Sequence, residues 1–177
     1  MTTHVGLIRS IHGIDYNYHN IPNIVTIYPS YIHNDESTVI LSSLQENLNQ
    51  QNIINCITNE LQNTIQSNFK IDVKLQSYSI NQISTTKGIF PTKHSSLFTC
   101  LINIGKSGPI TLKNNKTNDK YTFTIDNGMM VLIQDNSNHF THNIQMDTST
   151  SSSFLNIENV ENDDKINKRF ILTFHFI

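Results

Sequence analysis

The apolar positions of this chain change period near its middle. Between residues 35 and 66 they recur every three or four positions; beyond Phe69 they fall into short β-branched or aromatic runs. Val39, Ile40, Leu41, Leu44 and Leu48 share one helical face, and Asn34 or Asp35 supplies the N-cap. The acids at Asp35 and Glu36 suit the positive end of that helix. A second helix, about 52–66, carries Ile53, Ile54, Ile57, Leu61 and Ile65 at similar spacing. Residues 22–28 predict a strand ahead of both helices. Segments 71–79, 97–104, 109–113, 121–125, 128–134, 140–145 and 169–176 predict strands after them.

Turn signals separate these segments, among them Lys106-Ser107-Gly108-Pro109 and Asp126-Asn127-Gly128. The second is a strong hairpin marker. Two helices followed by seven or eight short strands predict an α+β fold. Its expected form is a double-stranded β-helix, a two-sheet jelly-roll barrel, with both N-terminal helices packed on one sheet. The 177 residues suit one domain with one substantial core. Residues 1–21 read as an N-terminal extension, and the polar, Ser/Thr-rich stretch 147–168 as a flexible surface loop.

Net charge is −2, which favours no class of partner, but its distribution is uneven. From Val73 to Asn118 there is no acid, while Lys74, Lys87, Lys93, Lys106, Lys113 and Lys116 fall there. A locally basic surface around the central strands could face the phosphates of RNA or DNA; scattered solvating lysines are the plainer account. Cys56 and Cys100 both lie in apolar runs and read as buried thiols of a reducing compartment. Met1 to Ser10 lacks a continuous apolar segment, and no stretch approaches the roughly 20 apolar residues of a membrane span. The expectation is a soluble intracellular protein of cytoplasm or nucleus.

Several chemistries lack their signatures. The cysteines form no CxxC pair, no glycine-rich phosphate loop occurs, and no nucleophile elbow supports Ser-His-Asp hydrolysis. His33-Asn34-Asp35 has a metal-like spacing but begins a helix, so it reads as capping. The final strand is more informative. Alternation puts Arg169, Ile171, Thr173 and His175 on one face and Phe170, Leu172, Phe174 and Phe176 on the other. A polar-ended face suits a lined pocket; the Phe-rich face suits packing against helices.

Three stretches together resemble one family, the AlkB-like iron(II)/2-oxoglutarate-dependent dioxygenases. The first is Val25 to Glu36 with the helix after it. The second runs from Asn81 through Gly88, Phe90, Pro91 and His94 to Cys100-Leu-Ile-Asn-Ile-Gly105. The third joins Met129 to Gln134, Phe140-Thr-His142 and Arg169-Phe-Ile-Leu-Thr-Phe174. The resemblance covers roughly residues 22–177. It implies His94 and His142 as iron ligands, with Arg169, His175 and Asn81 at the cosubstrate. Two imidazoles and a carboxylate on one face of iron leave positions open for cosubstrate and oxygen, and an arginine can clamp a carboxylate through paired hydrogen bonds.

The chain departs from that pattern in three places. His94-Ser95-Ser96 stands where the family has His-x-Asp, so Ser96 occupies the carboxylate position, and the acid-free stretch offers no neighbouring substitute. His175 stands where a second late arginine is expected, and Asn81-Gln-Ile83 lacks the family's Tyr. The resemblance implies oxidative demethylation of alkylated nucleic-acid bases, with Fe(II) and 2-oxoglutarate. The same chemistry on a protein side chain or small molecule is a weaker option. The Ser96 substitution implies a different class: a catalytically degenerate jelly roll acting as a binding or scaffold domain.

Overall fold

In the computed structural model, residues 25–83, 96–134, 140–144 and 168–177 are described. The predicted extension 1–21, residues 147–167 of the predicted loop and His94 lie outside them. The described elements run β1 (Val25–Tyr28), α1 (Asn34–Gln45), α2 (Gln50–Phe69), β2 (Leu75–Ile83), β3 (Phe98–Gly105) and β4 (Gly108–Asn114). They continue with β5 (Lys120–Ile125), β6 (Met130–Gln134), β7 (Phe140–Ile144) and β8 (Arg169–Phe176).

The strands form a five-stranded sheet, β1-β6-β3-β8-β2, and a three-stranded sheet, β5-β4-β7. Every ladder is antiparallel. The chain changes sheet after β3, β5, β6 and β7, so hydrogen-bonded neighbours are mostly distant in sequence. The α+β class, the two layers and the helices on one sheet follow the sequence expectation. Among the described residues no ladder joins the two sheets, so they form a sandwich rather than a closed barrel.

One apolar cluster lies between the large sheet and the helices. Cys100, Ile102, Ile104, Leu132, Phe170, Leu172, Phe174 and Phe176 meet Ile40 and Leu44 of α1 and Ile54, Ile57, Leu61 and Ile65 of α2. The i, i+3, i+4 spacing of the α2 residues makes this one continuous stripe. Two tyrosines fasten α2 to the end of β1 and the segment after it. Tyr28 Oη accepts from Asn68 Nδ2 at 3.1 Å, and Tyr31 Oη lies 3.2 Å from Thr64 Oγ1. A second cluster fills the space between the sheets, with Val25, Ile27, Leu101, Val131, Ile133 and Ile171 facing Ile110, Leu112, Phe123 and Ile125.

Several local expectations are corrected. Val39 and Leu48 are exposed, and α1 ends at Gln45, before Leu48 is reached. The N-cap of α1 is His33, with no side-chain cap bond. Asn34 is already helical, and its carbonyl accepts the Ser37 and Thr38 hydroxyls. Cys56 is exposed on α2, unlike the buried Cys100. The strand expected at 71–79 is β2 at Leu75–Ile83: it is a sheet edge rich in Ser, Asn and Gln, where hydrophobic alternation is weak.

Asp126-Asn127-Gly128 does not close a hairpin, because β5 and β6 belong to different sheets. It is a corner, fixed on both sides. Asn127 Oδ1 accepts from Gly105 N at 2.9 Å, and Asn127 Nδ2 donates to Ser37 Oγ at 2.6 Å. Gly128 has φ +76°, and a Cβ there would collide with the Ile32 carbonyl. Its N–H donates to Asn103 O at 2.8 Å and its carbonyl accepts from Ile32 N at 3.0 Å. One turn thus ties α1, β3 and the crossover between sheets.

Two predictions follow from this packing. Asn127→Ala strands the Gly105 N–H and removes the donor to Ser37 Oγ, and should cost about 1–3 kcal/mol in urea unfolding. The core should also be sensitive to alkali. Burial pushes the Cys100 thiol well above its ordinary value of 9.0, and raises Tyr28 from 10.0 to about 12. Both groups are raised, so the unfolded chain loses these protons first, and stability present below pH 9 falls as pH rises toward 12. Melting temperature should decline from about pH 9 in the native chain and from about pH 10 in Cys100→Ala.

Candidate functional site

On the face of the large sheet that looks toward the small one, β2, β8 and β3 lie side by side in four rows. The cross-strand partners are Ser77–His175–Thr99, Ser79–Thr173–Leu101, Asn81–Ile171–Asn103 and Ile83–Arg169–Gly105. The expected alternation of β8 therefore holds. Arg169 and His175 share a face but stand at opposite ends of the strand, about 20 Å apart along it at the usual rise.

Arg169 is fully buried. Its Nε donates to Asn103 Oδ1 at 2.8 Å, and its Nη2 donates to Gly108 O at 3.0 Å and Pro109 O at 3.3 Å. Asn103 Nδ2 in turn donates to Lys106 O at 3.1 Å. The guanidinium thereby joins β3 and β8 of one sheet to the start of β4 in the other. Glycine is needed at 108, where a Cβ would run into the Arg169 guanidinium. Desolvation lowers the Arg169 pKa from 12.5 to about 10. It stays a cation at neutral pH, and these hydrogen bonds offset part of the cost of burying it.

The other end of the face carries a chain of polar groups. Ser96 Oγ lies 3.1 Å from Thr99 Oγ1, which lies 3.1 Å from His175 Nδ1. The His175 tautomer sets which way the chain donates. Ser96 and His175 are buried at 6% and 5% exposure. Beside them the Thr173 hydroxyl, in a residue 3% exposed, has no hydrogen-bond partner among the described residues, and neither has the buried Ser77 hydroxyl. Leaving such a group dry and unpaired costs about 1–3 kcal/mol.

The remaining predicted site residues are placed as follows. His94 lies outside the described residues. His142 is on β7, in register with Leu112, whose side chain belongs to the core between the sheets. Asn81 is on β2 opposite Ile171, and its Nδ2 donates to Ser79 Oγ at 2.9 Å. Alternation alone places Thr173 on this face; Thr99 and Asn103 were not singled out by sequence, and only the register of β3 on β8 brings them to it.

Of the residues that the resemblance points to, Ser96 and Arg169 are engaged with protein partners. At the carboxylate position stands a buried neutral hydroxyl bonded to Thr99, and hydroxyl is a poor substitute for carboxylate at such a metal. The Nε and Nη2 of Arg169, the edge suited to a two-pronged carboxylate bond, are directed at protein oxygens. Among the described residues no three His, Cys, Asp or Glu side chains gather as a metal group.

On the opposite, helix-bearing face there is a cleft of about 270 Å³ lined by Gln45, Asn47, Gln50, Gln82 and Lys168 over Leu44, Ile80 and Phe170. No described helix is long and apolar enough to cross a membrane. No protein-family model matches the chain, and a search of curated proteins finds no relative.

Asn103→Ala should expose how far Arg169 depends on its partner. Losing a hydrogen bond to a buried charge costs about 1.5–3 kcal/mol, so the urea midpoint should fall with an unchanged slope.

Proposed function

We propose that this chain is a jelly-roll domain of the AlkB-like dioxygenase type that has lost iron-dependent turnover and binds a small polar ligand between its sheets. The observation that carries this reading is the Ser96–Thr99–His175 hydrogen-bonded chain, which commits the would-be carboxylate position to a neighbouring side chain. The Thr173 and Ser77 hydroxyls beside it, unpaired among the described residues, are what a ligand would satisfy. The jelly-roll assignment is supported by strand order. β4 pairs with β5, β3 with β6, β4 with β7, and β3 with β8, the nested sequence of a long hairpin rolled over two sheets.

A second reading keeps the enzyme. The register of His142 opposite inward-facing Leu112 favours it. Here His94 and His142 would hold Fe(II), and Arg169, His175 and Asn81 would meet 2-oxoglutarate. The reaction would be oxidative demethylation of alkylated bases in RNA or DNA. It requires a third metal ligand beyond Ser96 and an Arg169 released from Asn103.

Anaerobic titration with iron(II) and 2-oxoglutarate separates the two. The binding reading expects no charge-transfer band and no succinate on addition of oxygen and a methylated oligonucleotide. A band with succinate release in the native chain would replace it with the enzyme. Ser96→Asp should raise iron affinity only if His94 and His142 converge.

A further inference from the structure

The strand β2 stands at the edge of the large sheet, with β8 as its only strand neighbour among the described residues. Its outer row of backbone N–H and C=O groups is a template for a further strand. Sheet edges are ordinarily blunted by brevity, charge, proline or a bulge. The other described edges follow that rule: β1 has four residues, β7 has five, and β5 begins with Lys120. The nine residues of β2, Leu75-Gln-Ser-Tyr-Ser-Ile-Asn-Gln-Ile83, include neither a charge nor a proline. Its one irregularity, a register shift between Leu75 and Ser77, lies at its start and leaves Ser77 to Ile83 regular.

The two faces of this edge differ. Ser77, Ser79 and Asn81 share the face toward the small sheet, opposite His175, Thr173 and Ile171. Tyr78, Ile80 and Gln82 share the helix side, opposite Phe174, Leu172 and Phe170. Tyr78 is 41% exposed and, of the exposed large apolar side chains among the described residues, it alone lies on a strand. Its ring stacks on Phe174 with centroids 6.4 Å apart, and its hydroxyl donates to Gln51 Oε1 at 3.4 Å. The ring is therefore held against the rim of the sheet, where a neighbouring strand would cover it.

We infer that β2 pairs antiparallel with β2 of a second copy of this chain, about a two-fold axis at Ser79, joining the two large sheets into one. What selects a second copy is that the strand is complementary to itself. A two-fold axis normal to the sheet keeps each face on its own side, so odd-numbered residues meet odd ones and even meet even. Centred on Ser79, the pairing sets Ser77 opposite Asn81 and Tyr78 opposite Ile80 of the second copy. Polar meets polar, the aromatic ring meets a β-branched side chain, and no like charges oppose. The neighbouring registers lose this match. An axis at Tyr78 sets Gln76 against Ile80, and an axis at Ile80 sets Tyr78 against Gln82 and Ser77 against Ile83.

The assembly closes at two copies. Pairing about a two-fold axis uses both β2 edges, and the outer edges of the joined sheet are then the two short β1 strands. The Tyr78–Ile80 pair occurs twice, once on each side of the axis, so each favourable contact is doubled. On the inner face the row Ser77, Ser79 and Asn81 runs on into the same row of the second copy. The pairing uses no atom of the Ser96–Thr99–His175 chain, so it holds under either reading of that end.

The test is sedimentation velocity of the full chain over a wide range of concentration. A monomer–dimer equilibrium is expected, with a limiting mass twice the 20.2 kDa of one chain. Ser79 is exposed, so a longer side chain fits there in the monomer. Ser79→Lys and Ser79→Glu each set two like charges face to face at the axis, and each variant alone should stay monomeric. Mixed in equal amounts they should dimerise again, because Lys then meets Glu. Thr122→Lys, on the edge strand of the other sheet, should dimerise as the native chain does. Circular dichroism checks that each variant is folded. Amide hydrogen exchange of the native chain supplies a reading without substitution: exchange across residues 77–81 should slow as concentration rises. A native chain that stays monomeric, or grows beyond two copies, overturns the inference. So do a dimer that survives both Ser79 variants, a folded mixture that stays monomeric, loss of the dimer in Thr122→Lys, and exchange at 77–81 that ignores concentration.

Discussion

The two sheets are held in relation by a buried cation. Arg169 opens β8, and its guanidinium reaches Asn103 on β3 and the Gly108 and Pro109 carbonyls at the start of β4. A charge so placed has few tolerable neighbours. It requires an amide oxygen at 103, a position without Cβ at 108, and a tight path from β3 into β4. Those needs fix where the chain leaves the large sheet and enters the small one. The second crossover, at Asn127-Gly128, meets the same region through the Gly128 N–H on Asn103 O and the Gly105 N–H on Asn127 Oδ1. Asn103 thus takes part in both crossings, through its side chain in one and its carbonyl in the other.

Around this fixed corner the large sheet divides its labour by face. The helix side is continuous hydrocarbon and aromatic surface, from Cys100 and Ile102 to Phe174 and Phe176. The inner side is apolar where the small sheet covers it and polar toward β2, where His175, Thr99, Thr173 and Ser77 collect. Stability comes from the first face and chemistry, if any, from the second.

Much of this was legible wherever burial imposes a strong period. The α2 stripe of Ile54, Ile57, Leu61 and Ile65, the alternation of β8 and the approximate limits of β3 to β7 all follow from hydrophobic spacing. The failures occur where the period is diluted. The polar edge strand β2 was placed four residues early at its start, and Val39, Leu48 and Cys56 carry apolar side chains on faces that meet solvent. Asp126-Asn127-Gly128 has hairpin chemistry, yet a local motif cannot tell a hairpin from a corner between sheets. For the candidate site, the facing direction of Arg169 and His175 was readable from alternation. Their partners Asn103 and Thr99 were not, because register across a sheet is a property of the fold rather than of either segment.

The account turns on whether the inner polar end holds a metal. Imidazole nitrogen resonances of the ¹⁵N-labelled protein, recorded under anaerobic conditions with and without stoichiometric iron(II), answer this directly. The account predicts that His94, His142 and His175 keep their shifts and linewidths, with His175 Nδ1 showing the signature of its hydrogen bond to Thr99 in both spectra. Paramagnetic broadening that removes the His94 and His142 signals together at one equivalent of iron would contradict it.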